Sequence, residues 1–263
     1  MNKLFITTAF IAVLSVSNSW GQKLKVQEVA LEEVFVSPVG YDSNDNIEIV
    51  LDGKLPSACY DLFQTKVIPV PEKNKFLIKQ FIRQKHLTEC ETEHSEHQGE
   101  IFPVQFTTVV SLGELAAGEY RIDYKKAASS GPKGVKTFQV STATAEGIDD
   151  HLYAPVSSAF IPELIYSTPN AQVILTGILG NSCMEMLPSD VQVEKYGNIF
   201  VILPKLKLST QQECVANPRP LQQFVSLGAV EPGRYLVHVR SMTGRSVNKT
   251  FTVIKKTTDV SAF

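Results

Sequence analysis

Short segments in which apolar and polar residues alternate run along the chain from about residue 29, each bounded by turn-forming residues. Ile47-x-Ile49-x-Leu51, Tyr120-x-Ile122-x-Tyr124 and Tyr235-x-Val237-x-Val239 put every second side chain on one face, with polar or charged neighbours between. A period of two belongs to strands with one buried face, whereas a helix repeats its apolar stripe near 3.6 residues. No segment carries a sustained helical stripe, so the pattern predicts an all-β protein of antiparallel strands. Strands are predicted near 29 to 37, 46 to 52, 65 to 70, 75 to 83, 104 to 112, 119 to 125 and 135 to 140, and a second set follows in the same order. Seven short strands per set point to a sandwich of two sheets.

The second set is a copy of the first. Sliding the chain on itself by 124 positions aligns 30–90 with 154–214 without a gap, matching Pro38 to Pro162, Leu51 to Leu175, Gly53 to Gly177, Asn74 to Asn198 and Phe76 to Phe200. The offset then drops to 115, because the first copy carries nine extra residues, and Val110-Ser-Leu-Gly113 meets Val225-Ser-Leu-Gly228. Two copies of this length predict tandem globular domains rather than a solenoid. The division expected is a signal peptide over 1–21, a first repeat over 22–142, a linker over 143–152, a second repeat over 153–255 and a tail over 256–263.

Cys59 and Cys90 are 31 positions apart, as are Cys183 and Cys214. Four cysteines allow three connectivities, and the duplication selects the one in which each repeat closes its own bridge. A loop of that size stabilises a small domain by roughly 3–4 kcal/mol in the chain-entropy view.

Disulfides fit the N-terminus, where Lys3 precedes an apolar run from Leu4 to Val16 and small residues follow at Ser19 and Gly21. This form predicts a cleaved secretory signal and an exported, periplasmic or extracellular protein, with no transmembrane segment after cleavage. The formal net charge is −2, or −3 once Lys3 is removed, which gives no argument for nucleic acid or an anionic membrane as partner. The boundary falls around Ser141 to Asp150, a stretch that lacks apolar periodicity, and a short linker of this kind is expected to permit some relative motion of the repeats.

Leu115-Ala-Ala-Gly-Glu-Tyr120 and Val230-Glu-Pro-Gly-Arg-Tyr235 share an apolar residue, a tight turn and a tyrosine. This resembles the tyrosine corner of immunoglobulin-like and fibronectin type III-like sandwiches. The resemblance implies that Tyr120 and Tyr235 bond through their hydroxyls to nearby backbone, and that each repeat has an immunoglobulin-like shape. Both cysteines of each repeat precede the tyrosine, so the bridge differs from the inter-sheet link of antibody domains and is expected to join the end of the second strand to the segment leaving the fourth.

Candidate chemistry is sparse. The nine-residue excess reads Glu91-Thr-Glu-His-Ser-Glu-His-Gln-Gly-Glu100, in which His94, His97 and Glu93 could hold zinc or copper, or simply form a solvated acidic loop. His238 alternates with core residues and is expected on the outward face of its strand. Gly131-Pro-Lys-Gly134 lacks the spacing of a phosphate loop and reads as a hairpin, so no cofactor is expected. Asn248-Lys-Thr250 is a formal glycosylation acceptor. With no catalytic signature and no Gly-x-Ser-x-Gly elbow, the expected function is a non-enzymatic binding or structural module that contacts another protein or envelope component. The alternatives are a metal carrier using the His94/His97 loop, and a relative of the two-domain periplasmic chaperones of pilus subunits.

Overall fold

The computed structural model describes residues 25–85, 102–127, 133–144, 146–147, 149–209 and 213–255, and within them the protein is all-β. The first half contains β1 (Val26–Val29), β2 (Leu31–Phe35), β3 (Tyr41–Asp42), β4 (Ile47–Leu55), β5 (Tyr60–Val70), β6 (Lys75–Gln84), β7 (Val104–Gly113), β8 (Gly118–Lys125) and β9 (Lys133–Ser141). The second half contains β10 (Val156–Phe160), β11 (Leu164–Tyr166), β12 (Thr168–Asn181), β13 (Met184–Glu185), β14 (Val191–Tyr196), β15 (Ile199–Pro204), β16 (Lys207–Leu208), β17 (Ala216–Val230), β18 (Gly233–Ser241) and β19 (Arg245–Ile254).

In the first half a three-stranded sheet, β2-β4-β7, faces a larger one of order β1-β6-β8-β9-β3, with β5 on the other side of β6. The predicted strand from 29 to 37 is divided at Ala30, β1 pairing with β6 and β2 with β4, so one run serves both sheets. Between the sheets lie Ile47, Ile49 and Leu51 of β4 against Ile78 and Ile82 of β6, Ile122 of β8 and Phe138 of β9. The second half repeats the plan with β10-β12-β17 against β11-β19-β18-β15-β14, enclosing Val173, Leu175, Phe200, Ile202, Val237, Val239 and Phe251.

The sheets are mixed rather than antiparallel throughout. β6 with β8, β15 with β18, β3 with β9 and β11 with β19 run parallel. Parallel neighbours need a long crossover, which β7 provides between β6 and β8, and β17 between β15 and β18, by travelling through the opposite sheet. A period of two marks which side chains share a face but carries no information on strand direction, so the antiparallel expectation had no means of detecting this.

The two halves also stack on each other. Phe35 of β2 and Val50 of β4 leave the first core on their outward side and pack with Ile199 and Val201 of β15 and Leu236 of β18. The result is four layers of sheet, and β4 is buried on both faces. The segment expected to permit relative motion is held on both sides: the Ala143 backbone N–H donates to Ser43 Oγ (3.1 Å), Asn44 Nδ2 donates to the Gly147 carbonyl (2.7 Å), and Asp149 Oδ2 accepts from the Gly244 N–H (3.0 Å).

Gly53 and Gly177, matched by the self-alignment, both sit where another group approaches closely. A Cβ on Gly177 would lie 2.1 Å from the Pro155 carbonyl oxygen, and one on Gly53 would lie 2.6 Å from the tip of the Phe106 ring. Backbone cannot yield as a ring tip can. Gly177→Ala is therefore expected to destabilise by about 2–3 kcal/mol and Gly53→Ala by less; thermal melts of the two variants check the order, and an equal or larger loss for Gly53→Ala contradicts it.

Candidate functional site

Most of the polar groups that could perform chemistry lie in the seam between β2-β4-β7 and the β14-to-β19 sheet. Alternation along β4 sends Glu48 and Asp52 outward beside Val50, and alternation along β18 sends Arg234, His238 and Arg240 outward beside Leu236. Stacking of the sheets then covers these groups, and the four charged ones each acquire a partner from the other half. Asp52, at 0% exposure, accepts from Arg234 Nε (3.1 Å) and Nη2 (2.8 Å), and also from Thr107 Oγ1 and Gln105 Nε2. Arg234 completes its set with the hydroxyls of Thr250 and Thr252. At the other end Arg240 Nη2 donates to Asp45 Oδ1 at 2.5 Å, and this carboxylate keeps the guanidinium charged despite its burial.

Between these ion pairs lies the set with most resemblance to a catalytic one. Ser246 Oγ and Asn248 Nδ2 both donate to Glu48 Oε2, and the Asn248 amide oxygen faces His238 Nδ1 at 2.8 Å. With its nitrogen given to Glu48, Asn248 can only accept from His238, so the imidazole holds its proton on Nδ1. Burial pushes the His238 pKa below the ordinary histidine value, and the nearby Arg240 acts in the same direction. The Ser246 hydroxyl is given to Glu48 and His238 Nδ1 to Asn248, so these bonds do not include the nucleophile–base hydrogen bond that nucleophilic catalysis would require. A cavity of about 200 Å³ adjoins this set, bordered by Tyr41, Tyr153, Tyr196, His238 and Arg240. Burial pushes the Tyr41 hydroxyl up to about 12, which leaves it a neutral group at physiological pH.

At the rim of the seam Asp42 Oδ1 and Asp149 Oδ1 are buried with no hydrogen-bond partner among the described residues. Burial, followed by the charges of Asp45 and Asp150, raises the Asp42 pKa. Among the described residues no three His, Cys, Asp or Glu side chains converge to hold a metal ion.

The residues singled out in the sequence lie elsewhere. Cys183 and Cys214 form a disulfide with a Cα–Cα distance of 5.3 Å, joining the turn after β12 to the segment between β16 and β17. Cys59 is disulfide-bonded, and Cys90 lies outside the described residues, as do His94, His97 and Glu93. The Tyr120 hydroxyl donates to the Ala116 carbonyl (2.9 Å) and that of Tyr235 to the Glu231 carbonyl (3.0 Å), each four residues back, while the rings stack on Phe138 and Phe251. His238 does point away from its own core, but the first half covers it to 6% exposure, so the outward face expected for it is not solvent. The amide of the glycosylation acceptor Asn248 is likewise committed to Glu48.

The seam went unread in the sequence because its charges occupy the positions at which a half-buried strand normally meets water. One signal was present: Ile199-Phe-Val-Ile-Leu203 is an unbroken apolar run, the mark of a strand buried on both faces. Comparisons with known protein families, characterised proteins and solved structures found no match.

Removing one partner of a buried pair leaves the other uncompensated. Arg234→Ala is expected to cost about 3 kcal/mol, and the double replacement Asp52→Leu with Arg234→Met to recover most of it; denaturant titration of the parent and the two variants reads this directly, and a double variant no more stable than Arg234→Ala would contradict it. The second expectation concerns acid. From about pH 7.5 upward, a unit above the ordinary histidine value, the imidazole is neutral in both folded and unfolded chains, and stability is at its full value. As pH falls below that, the unfolded chain binds a proton that folded His238 resists, so stability declines. The Tm of His238→Gln should therefore fall less between pH 6.5 and 5 than that of the parent protein, and parallel Tm profiles would remove His238 as the cause.

Proposed function

We propose that the chain is an exported, non-catalytic binding module, made of two duplicated immunoglobulin-like sandwiches, that holds a partner protein on the outer face of its second half. The observation that carries this reading is a row of apolar side chains crossing all three strands of the β10-β12-β17 sheet. Phe160 is opposite Ile174, and Ile174 is opposite Phe224, with Phe160 and Phe224 exposed at 59% and 57%. Ile178, at 62% exposure, lies on the same face further along β12, beyond the polar row of Ser158, Thr176 and Gln222. Adjoining aromatic and aliphatic side chains left in water mark protein contact surfaces, since covering them removes apolar area from solvent.

Two further features support it. By the self-alignment Ile174 stands in the position of Val50, which in the first half is covered by a sheet. The outermost strand, β17, has neither charge nor proline from Leu221 to Val230, so its open edge lacks the usual devices that keep another chain away. Against a catalytic role, the hydroxyl, carboxylate, amide and imidazole of the seam are all engaged with one another.

Phe160→Ser with Phe224→Ser tests the reading, because neither side chain supports the core and the variant should melt within a few degrees of the parent. Affinity capture from the exported fraction is expected to recover a protein with the parent chain and to lose it with the variant. Equal recovery by both, or catalytic turnover by the purified protein, would overturn the proposal.

A further inference from the structure

The outer face at the opposite end of the stack, formed by β5, β6, β8 and β9, carries lysines set against lysines. Lys66 is directly opposite Lys79 across β5 and β6, and Lys125 is directly opposite Lys133 across β8 and β9. The last pair joining β6 to β8 is Ile78 with Tyr124, so Lys79 and Lys125 each follow it by one residue and point to the same outward side. Four ammonium groups on four successive strands, about 4.8 Å apart, make a row of about 14 Å. Like charges placed directly opposite destabilise a sheet, and this row does so twice.

Among the described residues its counter-charge is slight. Glu28 comes no closer to Lys79 than 3.9 Å, and Lys66 lies over the Phe81 ring. Asp123, the one buried carboxylate in the adjoining row, is consumed by Lys75 (2.7 Å) and Arg121 (2.6 Å). Although burial opposes its ionisation, these two cations hold it below the usual carboxylate range. Lys125 and Lys133 are exposed, and neither has an ion-pair partner among the described residues. Where β8 leaves β6 and β1 takes its place, a groove of about 420 Å³ opens between Glu28, Leu77, Lys79, Tyr124, Lys125 and Lys133. Beside the lysines runs a parallel apolar row of Ile68, Leu77 and Val135, interrupted only by the neutralised Asp123.

We infer that this face docks an acidic polysaccharide, a linear chain whose successive carboxylates or sulfates lie along the lysine row while the apolar faces of its sugar rings rest on Ile68, Leu77 and Val135. The near-neutral total of the chain gives no sign of this surface, which exists only once the strands are laid side by side. A line of cations beside a line of apolar groups matches a polymer with charge on one edge. A flat bilayer matches it less well, since a twisted sheet touches a plane only at a corner and these apolar residues do not protrude from a loop. The inference is independent of the partner-binding face at the other end, and the two involve no residue in common.

The test uses the full-length protein with polygalacturonate and heparin as probes, neutral dextran as a blank, and anionic vesicles and single-stranded DNA as competitors of different class. Binding to at least one acidic polysaccharide is expected, weakening steeply with added salt. Lys125→Gln with Lys133→Gln is expected to lower the affinity about ten-fold and flatten the salt dependence. The pair Lys54→Gln with Lys207→Gln, which removes the same charge from other surfaces, is expected to leave it unchanged. Binding to neither polysaccharide, equal loss in both double variants, or tighter binding of vesicles or DNA would overturn the assignment.

Discussion

Asp52 is fully buried in the middle of a strand packed on both sides, and its charge is tolerable there only because Arg234 reaches it from 182 residues further along the chain. Two guanidinium nitrogens on two carboxylate oxygens set direction as well as distance, so the sheets cannot slide past each other without breaking both bonds. The rest of the seam follows from that register. Val50 comes to lie with Leu236 and Val201, Thr107 meets Thr250, and Arg240 reaches Asp45. An apolar seam alone would favour contact in many orientations; the buried charges restrict it to one, because any other leaves an ion without its partner.

The strands of this protein are legible in its sequence, and their assembly much less so. Alternation in Ile47–Leu51 and in Tyr235–Val239 correctly marks which side chains enter a core. It leaves the direction of pairing undetermined, and so β6 beside β8 and β15 beside β18 were not anticipated as parallel. It also cannot tell a polar face in water from one closed by a second sheet, because Glu48, Asp52, His238 and Arg240 satisfy either description until their partners are known. Those partners lie far away along the chain, at separations that no local pattern reaches. The histidine-bearing sequence from Glu91 to Glu100 illustrates the opposite bias. Clustered donors attract notice in a sequence, whereas the four lysines at 66, 79, 125 and 133 are scattered and become a row only when the strands are laid side by side.

Faces in corresponding positions have had different fates. The gapless self-alignment puts Lys75, Leu77 and Lys79 of β6 in register with Ile199, Val201 and Leu203 of β15. On β15 these residues lie against the first half, where apolar side chains are required. On β6 the same positions meet solvent, and there a fully apolar set would be an open invitation to aggregate. Lysine avoids that, but a single charge at each alternate position would suffice, and mixed signs would be more stable than lysine opposite lysine. The excess of one sign is what a ligand of the other sign would explain.

The reverse comparison holds at the far end. Val50 and Ile174 correspond, yet Val50 is 1% exposed while Ile174 joins the solvent-facing row between Phe160 and Phe224. Two halves stacked through one sheet each leave the outer face of the other sheet open. Because the open faces belong to sheets in non-corresponding positions of the two halves, they need not resemble one another, and they do not: one is cationic, the other aromatic. The stack thereby presents two unlike surfaces at its two ends. Were a polyanion bound at one end and a polypeptide at the other, the seam that Asp52 and Arg234 close would lie between them.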